Sequence, residues 1–304
     1  MSGAALSELN RRFGIAGHVE FRAIANDFIV ADIDNAHATA RIALQGAHIM
    51  TYQPHGQAPV LWLSPLAKFE AGKSIRGGVP VCWPWFGPHA SEKTFPGHGF
   101  ARTVPWQVIG AEELAGGATQ LTFEIIASDQ TRAQWPHLGG VQLIATVGKE
   151  LRVELVTRNG GDTAFALGEA LHTYFHISDV ANMTITGLEG CAYIDKVDDS
   201  QLKTQHEPIA IQAEVDRIYV YTKADCLIND SGLKRRIRIH KQGSDSTVVW
   251  NPWTDKAHRM GDFGDNGYRN MVCVESANAA DNIVTVPPHE RHRLLCVYSV
   301  EALG

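Results

Sequence analysis

The chain has 304 residues, of which 44% are hydrophobic and 20% are charged, a composition typical of a soluble globular protein with a substantial core. Its formal net charge of -6 argues against a nucleic acid or an anionic membrane surface as its partner. No stretch approaches the roughly 18 consecutive apolar residues of a membrane span, and the N-terminal segment lacks the apolar run of a signal peptide. We therefore expect a cytoplasmic protein that binds neither nucleic acid nor membrane.

The five cysteines, Cys82, Cys191, Cys226, Cys273 and Cys296, lie far apart and form no CxxC pair. An odd number at wide spacing gives neither a disulfide framework nor the ligand spacing of a zinc site. Cys273 and Cys296 lie in apolar runs, which favours buried thiols that behave as small hydrophobic groups. Reduced thiols agree with a cytoplasmic location.

The chain begins with a predicted helix at residues 7–13. Residues 18–23 then alternate, with Val19, Phe21 and Ala23 on one face and polar residues on the other, which is typical of a half-buried strand. The same alternation, or a short apolar run bounded by Gly, Pro, Asn and Asp, predicts further strands at residues 28–33, 41–44, 118–126, 140–147, 151–155, 233–241, 246–250 and 294–300.

A second helix is predicted at residues 128–135, with Ser128 as its N-cap. Gly-Lys-Glu at residues 148–150 separates two predicted strands and indicates a hairpin turn. Helices of about 10–15 residues do not separate the strands regularly, which disfavours a parallel α/β sheet. The pattern therefore predicts an all-β fold, formed by one large antiparallel β-sandwich domain over residues 1–304.

Three segments depart from the strand pattern because they are rich in glycine or proline: residues 74–88, 95–102 and 261–270. Long irregular loops on a β scaffold are where functional sites tend to be built. None of the three carries a P-loop motif. The glycines of the last segment lack the flanking strand and helix of a dinucleotide fingerprint, and the calcium-loop pattern fails because Cys273 stands where a glutamate is required.

Arg76 and Arg102 are candidates for binding an anion. Each lies beside glycine or small residues in one of the irregular segments, where a planar guanidinium can approach an anion with two hydrogen bonds. The alternative is a solvated surface arginine or a structural salt bridge, which is the commoner fate of arginines.

Clustered aromatic residues suggest a carbohydrate cleft. Trp83, Trp85 and Phe86 lie within four positions, and Trp250 and Trp253 flank an Asn-Pro pair. Sugar rings pack their apolar faces on aromatic planes, so aromatic residues on loops fit such a cleft. We select Trp85 and Trp253 as the sugar-contacting candidates; the alternative for each is packing in the core or anchoring a loop.

His172, His176 and Glu275 could carry chemistry. At strand spacing the two histidines would share a face, which raises the possibility of a metal site. No HExxH motif occurs and the spacing implies no third ligand, so we predict no metal. Glu275 ends the apolar run 271–275, and a buried carboxylate there must be paired or functional. The alternative is a structural acceptor that closes a loop.

Four segments occur in a characteristic order: Arg-Gly-Gly-Val-Pro-Val-Cys at 76–82, His-Gly-Phe-Ala-Arg at 98–102, Leu-His-Thr-Tyr-Phe at 171–175 and Tyr-Arg-Asn-Met-Val-Cys-Val-Glu at 268–275. Together they resemble the D-hexose-6-phosphate mutarotases (glucose-6-phosphate 1-epimerases) of the galactose-mutarotase-like superfamily, over nearly the whole chain. The resemblance implies a large antiparallel β-supersandwich with few short helices and an open cleft.

The resemblance also implies roles for individual residues. His172 and Glu275 correspond to the catalytic pair of the family. The remaining positions correspond to groups that bind the substrate: Arg76 and Arg102 to arginines associated with the phosphate, His98 to a sugar-contacting histidine, and Asp216 to a substrate-binding aspartate. Gly97 is a departure, because some members carry a phosphate-contacting glutamine there. Phosphate contacts are then fewer, or come from a neighbour such as Lys93.

The implied activity is interconversion of the α and β anomers of a hexose 6-phosphate by ring opening and closure. We expect Glu275 to be ionised as the base and His172 to be protonated as the acid, with no cofactor. The expected partner is a small-molecule sugar phosphate, and the expected oligomeric state is a monomer. Two alternatives stay open: a non-catalytic sugar-phosphate-binding module, and an aldose 1-epimerase that acts on unphosphorylated sugars.

Overall fold

A computed structural model describes residues 3–303 of the chain. Within them the α-helices are α1 (Gly3–Phe13), α2 (Asp129–Gln134) and α3 (Trp253–Arg259). Short 3-10 turns occur at Ala25–Asp27, Ala101–Thr103, Val180–Asn182, Gly267–Asn270 and Ala280–Asn282. No helix in this part of the chain is both long enough and apolar enough to cross a membrane.

The strands, in chain order, are β1 (Val19–Ala23), β2 (Ile29–Asp34), β3 (Ala38–Ala43), β4 (His48–Pro54), β5 (Val81–Cys82), β6 (Trp106–Glu113), β7 (Thr119–Ile125), β8 (Gly139–Val147), β9 (Leu151–Asn159), β10 (Phe165–Leu167), β11 (Glu169–Leu171), β12 (Tyr174–His176), β13 (Met183–Thr186), β14 (Ala192–Asp195), β15 (Gln201–Thr204), β16 (Val215–Tyr219), β17 (Cys226–Asp230), β18 (Arg235–Gln242), β19 (Ser246–Asn251), β20 (Met271–Asn278), β21 (Val284–Val286) and β22 (Arg291–Ala302).

These strands pair antiparallel in two eight-stranded sheets and two smaller ones. We call the first large sheet the site sheet; its order is β15-β14-β16-β19-β20-β11-β5, with β12 also paired to β20. The second, the back sheet, has the order β13-β17-β18-β22-β9-β8-β7-β6. The smaller sheets are β1-β2-β3-β4 and β10-β21. The prediction of an all-β antiparallel fold with few short helices is confirmed.

The back sheet has one buried face, which is why its strands alternate in sequence. In β9, Leu151, Val153 and Leu155 are buried, and Arg152 and Glu154 between them are half-buried. The buried side chains join one core with residues of the site sheet. Each strand predicted from alternation therefore matches an observed strand, and the turn at 148–150 connects β8 to β9 as predicted.

The site sheet differs because its central strand, β20, is buried along its whole length. Successive residues of a strand point to opposite faces. Val272 and Val274 lie in the core shared with the back sheet, whereas Met271 and Cys273 pack in a separate apolar cluster on the opposite face. Glu275 is two residues beyond Cys273 and so belongs to that outer face as well. The carboxyl group of Glu275 is therefore buried on the covered outer face of the site sheet.

Two helices follow the sequence prediction and one does not. Helix α2 begins after Ser128, whose hydroxyl accepts the N–H of Thr131 at 3.2 Å, while the Thr131 hydroxyl accepts the N–H of Ser128 at 2.8 Å. Helix α1 includes the predicted residues 7–13. Helix α3 follows Pro252 and packs Ala257 against the outer face of the site sheet, and the sequence pattern does not predict it.

The prediction that His172 and His176 share one strand face is wrong. Strand β11 ends at Leu171 and β12 begins at Tyr174, so His172 lies in a break between them. The N–H of Thr173 donates to the Leu171 carbonyl at 2.9 Å, which closes a tight turn, and the N–H of His172 donates to the Pro80 carbonyl at 3.0 Å. His176 lines a different cavity and contributes nothing to a joint metal site.

A buried histidine supports the loop that carries Arg76. His48, at the start of β4, is fully buried, and its Nε2 lies 2.8 Å from the Gly77 carbonyl. The next residue, Gly78, has φ 64°, and a Cβ there would lie 2.3 Å from the Ile49 carbonyl oxygen. Only glycine fits so close an approach of two backbone segments.

His48 predicts a pH dependence of stability. Burial lowers the pKa of His48 to about 4 from the usual 6.5. As the pH falls below 6.5, His48 becomes protonated in the unfolded chain but stays neutral in the folded chain. The free energy of unfolding therefore decreases until about pH 4. The difference in pKa corresponds to at most about 3 kcal/mol. His48→Gln is expected to flatten this dependence, measured by denaturant unfolding across that range.

The matched control is His206→Gln, because His206 is exposed. The control should retain the slope of the wild-type protein. If His48→Gln and wild type lose stability equally between pH 6.5 and 4, the assignment of this pH dependence to His48 is wrong.

Candidate active site

A cavity of about 750 Å³ lies on the outer face of the site sheet. Residues that are distant in sequence meet in its wall. Among them are the predicted residues Arg76, His98, Arg102, His172, Asp216 and Glu275, together with Tyr174, Lys196, Ser200, Trp250 and Lys256. Two of the three irregular segments, 74–88 and 95–102, contribute directly to the wall. The third, 261–270, supports it from behind through Phe263 and Asp262.

Strand register brings His172 to Glu275. Leu171 pairs with Ser276 and Tyr174 pairs with Cys273, so the break between β11 and β12 lies beside Glu275. The Nδ1 atom of His172 lies 3.3 Å from Oε1 of Glu275. Glu275 is 1% exposed, and the side chain of His172 is 13% exposed on the cavity side. The two candidates for acid–base chemistry are therefore in contact at the cavity wall.

Aromatic rings hold the imidazole of His172 in place. The ring of Tyr174 is stacked on it, with centroids 4.9 Å apart and planes at 7°. Trp250 meets it edge-on at 6.0 Å, and His98 does so at 6.1 Å. Rings on several sides fix the orientation of the imidazole, as proton transfer at a defined atom requires.

The charges of the site favour a neutral pair. Burial, and next the charge of Asp216, raise the pKa of Glu275 well above its ordinary value, although Arg102 opposes this. Burial, and next the neighbouring imidazole of His98 and the charges of Arg102 and Arg76, lower the pKa of His172 well below its ordinary value. The site thus favours protonated Glu275 and neutral His172, which reverses the expectation of an ionised base and a protonated acid.

The neutral pair and the ion pair contain the same number of protons. They differ only in whether one proton lies on Oε1 of Glu275 or on Nδ1 of His172, atoms that are 3.3 Å apart. Such a coupled pair titrates as a unit. Either residue can therefore act as acid while the other acts as base.

Arg76 and Arg102 are held differently. The guanidinium of Arg76 donates to Oδ1 of Asp262 at 3.2 Å and to the hydroxyl of Tyr174 at 3.1 Å. Arg102 donates to the carbonyl of Gly97 at 2.9 Å, and among residues 3–303 no carboxylate forms an ion pair with it. Arg102 therefore offers the less neutralised positive charge at the cavity, and Arg76 the more firmly oriented one.

Residue 97 contributes through its backbone, because the Gly97 carbonyl orients Arg102. The neighbour proposed to supply a missing phosphate contact, Lys93, is exposed and does not line the cavity. The cationic side chains that do line it beside the arginines are Lys196 and Lys256. Nothing in the sequence distinguishes these two lysines from ordinary surface lysines.

His98 is a neutral hydrogen-bonding group. Its Nδ1 accepts the N–H of Gly87 at 3.3 Å, so in the neutral ring the proton lies on Nε2. Burial, and next the charge of Arg102, lower the pKa of His98 to about 4. Its neighbour Gly99 has φ 70°, and a Cβ there would lie 1.9 Å from the Trp83 carbonyl oxygen, so the chain turns sharply at this point.

Asp216 lies on β16 at the opposite side of β19 from Glu275. Burial raises its pKa, and the charges of Lys256 and Lys196 counteract the rise. Nζ of Lys256 lies 4.0 Å from Oδ2 of Asp216 and 2.8 Å from Oε1 of Glu214. The wall around Asp216 therefore combines hydrogen-bond acceptors and donors, as binding of sugar hydroxyls requires.

The structure places Trp85 and Trp253 outside this wall. Trp85 is 9% exposed and packs against Phe95 and Phe100, and its Nε1 donates to the Pro96 carbonyl at 2.9 Å. Both side chains anchor loops, since Trp253 packs on a tyrosine of the segment 261–270 at 5.1 Å. Of the described tryptophans, Trp250 is the one that lines the cavity.

Strand parity explains why Trp250 reaches the cavity. Trp250 pairs with Cys273 and Val248 pairs with Glu275, and residues paired across two strands share a face. Trp253 lies beyond the end of β19, in α3, where that parity no longer applies. The available sequence signal is that Trp250 ends the predicted strand 246–250, whereas Trp253 lies outside it.

Comparisons with known proteins show which family the chain resembles. A family model described as aldose 1-epimerase matches residues 30–299. A relative from Escherichia coli strain K12, whose name gives it as a candidate glucose-6-phosphate 1-epimerase, is 40% identical over 256 residues, which are 84% of each chain. A relative of the same name from Salmonella typhimurium is 38% identical over 89% of this chain and 90% of its own. A crystal structure of a candidate mutarotase from Salmonella typhimurium has a TM-score of 0.87 at 35% identity, over 94% of both chains.

Glu275→Gln is expected to stabilise the folded chain. Above pH 4.5 the unfolded chain loses the Glu275 proton while the folded chain retains it or carries a buried charge, so this residue reduces the free energy of unfolding as pH rises. A neutral amide removes that penalty. The melting temperature at pH 7 should therefore exceed that of wild type, and the difference should shrink towards pH 4.5, measured by thermal unfolding.

Glu112→Gln, at an exposed position of β6, is the matched control and should leave the melting temperature unchanged. A Glu275→Gln variant that melts at or below the wild-type temperature at pH 7 contradicts the raised pKa.

Proposed function

Because the chain belongs to the aldose 1-epimerase family, we propose that it is an isomerase that interconverts the α and β anomers of a hexose 6-phosphate, with glucose 6-phosphate as its substrate. The motif resemblance drawn from the sequence is confirmed at the level of the family. The observation that carries the proposal is the contact between His172 and Glu275 at the wall of a cavity that also presents Arg76 and Arg102.

Ring opening requires a base at the anomeric hydroxyl and an acid at the ring oxygen. In the ion-pair form, the Glu275 carboxylate takes the hydroxyl proton while protonated His172 gives a proton to the ring oxygen. The sugar opens to the aldehyde, and the pair is left as protonated Glu275 and neutral His172. Rotation about the first carbon–carbon bond then presents the other face of the carbonyl, and the reverse transfers close the ring.

The neutral pair that burial favours is therefore the protonation state of the complex with the open-chain sugar. The raised pKa of Glu275 and the lowered pKa of His172 favour this state in the free site as well. From the neutral pair the roles are exchanged: protonated Glu275 acts as the acid and neutral His172 as the base. The revised protonation state supports anomer exchange, because one full cycle needs each residue in both of its forms.

The arginines would select the phosphorylated sugar. Arg102 carries a charge that no carboxylate of the described residues pairs, and Arg76 is oriented by Asp262 and Tyr174. A guanidinium forms strong paired hydrogen bonds to a phosphate group. In this proposal His98 and Asp216 bind the sugar hydroxyls. The proposal also includes a cytoplasmic setting and a monomeric protein, and the free state of the cysteines is consistent with the former.

Replacement of either member of the pair should abolish most of the activity. His172→Asn and Glu275→Gln are each expected to reduce turnover by about 10²–10⁴-fold, the usual contribution of one proton-transfer group. The measurement follows the anomeric proton signals of freshly dissolved α-glucose 6-phosphate by NMR, with the spontaneous rate subtracted. Unchanged melting behaviour, or the higher melting temperature expected for Glu275→Gln, shows that the fold survives.

Parallel experiments with α-glucose separate the alternatives. Acceleration of glucose alone indicates an enzyme for unphosphorylated sugars. Acceleration of neither sugar indicates a binding module without catalysis. Near-normal turnover by His172→Asn or by Glu275→Gln contradicts the catalytic assignment of that residue.

Arg102→Ala and Arg76→Ala should mainly raise KM for glucose 6-phosphate. Loss of one charge-assisted hydrogen bond to phosphate costs about 1.5–3 kcal/mol, which corresponds to roughly a 10–100-fold rise. The rates with unphosphorylated glucose should change far less. Arg132→Ala, at an exposed arginine of α2, serves as the control. Equal losses with both sugars would exclude a phosphate role for the arginine concerned.

A further inference from the structure

Three side chains with metal-binding atoms meet at the cavity wall, where His172 and Glu275 line the cavity and Cys273 is fully buried beside them. Nδ1 or Nε2 of His172, Sγ of Cys273 and a carboxylate oxygen of Glu275 all lie within 4.8 Å of one another. Cys273 and Glu275 are two residues apart on the same face of β20, and the break after β11 brings in His172. About a hundred residues of chain separate the histidine from the cysteine, so no spacing motif reveals the set.

The geometry fits a small tetrahedral ion. Zinc binds imidazole nitrogen and carboxylate oxygen at about 2.0–2.1 Å, which places two such ligands about 3.3 Å apart on a tetrahedral edge. The observed distance between Nδ1 of His172 and Oε1 of Glu275 is 3.3 Å. The sulfur should lie about 3.5 Å from each of the other two ligand atoms. In the structure the sulfur lies within 4.8 Å of both atoms, so a movement of about 1 Å by the Cys273 side chain would bring it to the required distance.

Two of the polar atoms have no other partner. Oε2 of Glu275 is buried and forms no hydrogen bond with any described residue, and Nδ1 of His172 has no neighbour of this kind other than Oε1 of Glu275. Glu275 is 1% exposed, and a buried polar atom without a partner carries a penalty that a ligand can remove. This observation is independent of the clustering and also indicates a bound ligand.

We propose that His172, Cys273 and Glu275 form an inhibitory binding site for Zn²⁺, with the fourth coordination position open to the cavity. The choice of metal follows from the donor set. A thiolate with an imidazole and a carboxylate suits zinc, whereas magnesium and calcium prefer oxygen donors alone. Thiolate and carboxylate together offset the charge of the ion. The charge of Arg102 opposes it from the cavity side, and Asp216 favours it.

Binding would displace protons and block proton transfer. The Zn–S bond forms as the Cys273 thiol releases its proton to solvent, because a coordinating thiol is deprotonated. The proton shared by His172 and Glu275 is also released, since zinc occupies the space between their ligand atoms. Binding does not rest on the proposed function, whereas inhibition does. The two are therefore measured separately.

The first experiment titrates the full-length, metal-free protein with Co²⁺, a spectroscopic substitute for zinc. We expect saturable binding of one ion per chain, a thiolate-to-cobalt charge-transfer band in the near ultraviolet and the strong visible bands of a tetrahedral site. Added Zn²⁺ should remove these bands. Absence of the thiolate band, or absence of saturable binding, overturns the proposal without reference to activity.

The second experiment compares Zn²⁺ affinities of variants by calorimetry. Cys273→Ala should weaken binding by at least about 100-fold, because loss of a direct ligand costs no less than loss of a group that supports one, which costs about 10–100-fold. Cys226→Ala, which removes a buried cysteine of the back sheet, is the control and should bind as wild type. Cys273→Ser serves as the second variant if the alanine variant melts early. Wild-type affinity in Cys273→Ala or Cys273→Ser overturns the proposal.

The third measurement follows glucose 6-phosphate anomer exchange with and without Zn²⁺, each variant being compared with its own zinc-free rate. Wild type and Cys226→Ala should lose activity in parallel with occupancy of the site, and Cys273→Ala should resist at the same concentration. Zinc bound through Cys273 without loss of measurable activity would overturn the inhibitory role. If no variant or wild-type protein shows activity, the proposed function fails and the binding site stands on the cobalt spectrum.

Discussion

Burial of β20 on both faces is the constraint on which the site depends. The inner face of this strand completes the core shared by the two large sheets, so the strand cannot shift without disrupting the sandwich. The outer face places Cys273 and Glu275 at fixed positions under a cover of loops and a short helix. Burial there raises the pKa of the Glu275 carboxyl well above its ordinary value. The fold itself therefore sets the acid–base properties of the pair, and no flexible loop has to provide them.

Alternation of apolar and polar residues in the sequence predicts the strands that have one buried face and one solvent-facing side. It identifies β9 and its neighbours in the back sheet because their outward residues are half-buried or exposed. It fails in the site sheet, where the three middle residues of β16 are all half-buried and β14, although it alternates, has only four residues. Helix α3 is missed for a related reason, since its 7 residues, about two turns, are stabilised by packing of Ala257 rather than by a periodic pattern.

The site was partly predictable for equally physical reasons. Motif order identifies His172 and Glu275, whereas pairing register, which no single segment contains, brings them within 3.3 Å. Protonation is not readable from sequence, because it depends on burial and on charges contributed by distant segments. That is why the expected ion pair is replaced by a neutral one. The choice of Trp253 rather than Trp250 shows the same limit: three positions decide between a cavity wall and a loop anchor.

Tyr174 fixes the distance between two functional groups of the site. Its ring is stacked on the imidazole of His172 at 4.9 Å, and its hydroxyl accepts a hydrogen bond from Arg76 at 3.1 Å. One rigid ring therefore sets the separation between the proposed proton-transfer centre and the proposed anion-binding arginine. The two ends cannot adjust independently to a ligand. Molecules of equal charge but different length, such as pentose and hexose phosphates, would accordingly be distinguished by the distance between their reacting end and their phosphate. The strength with which the phosphate is attracted would not distinguish them.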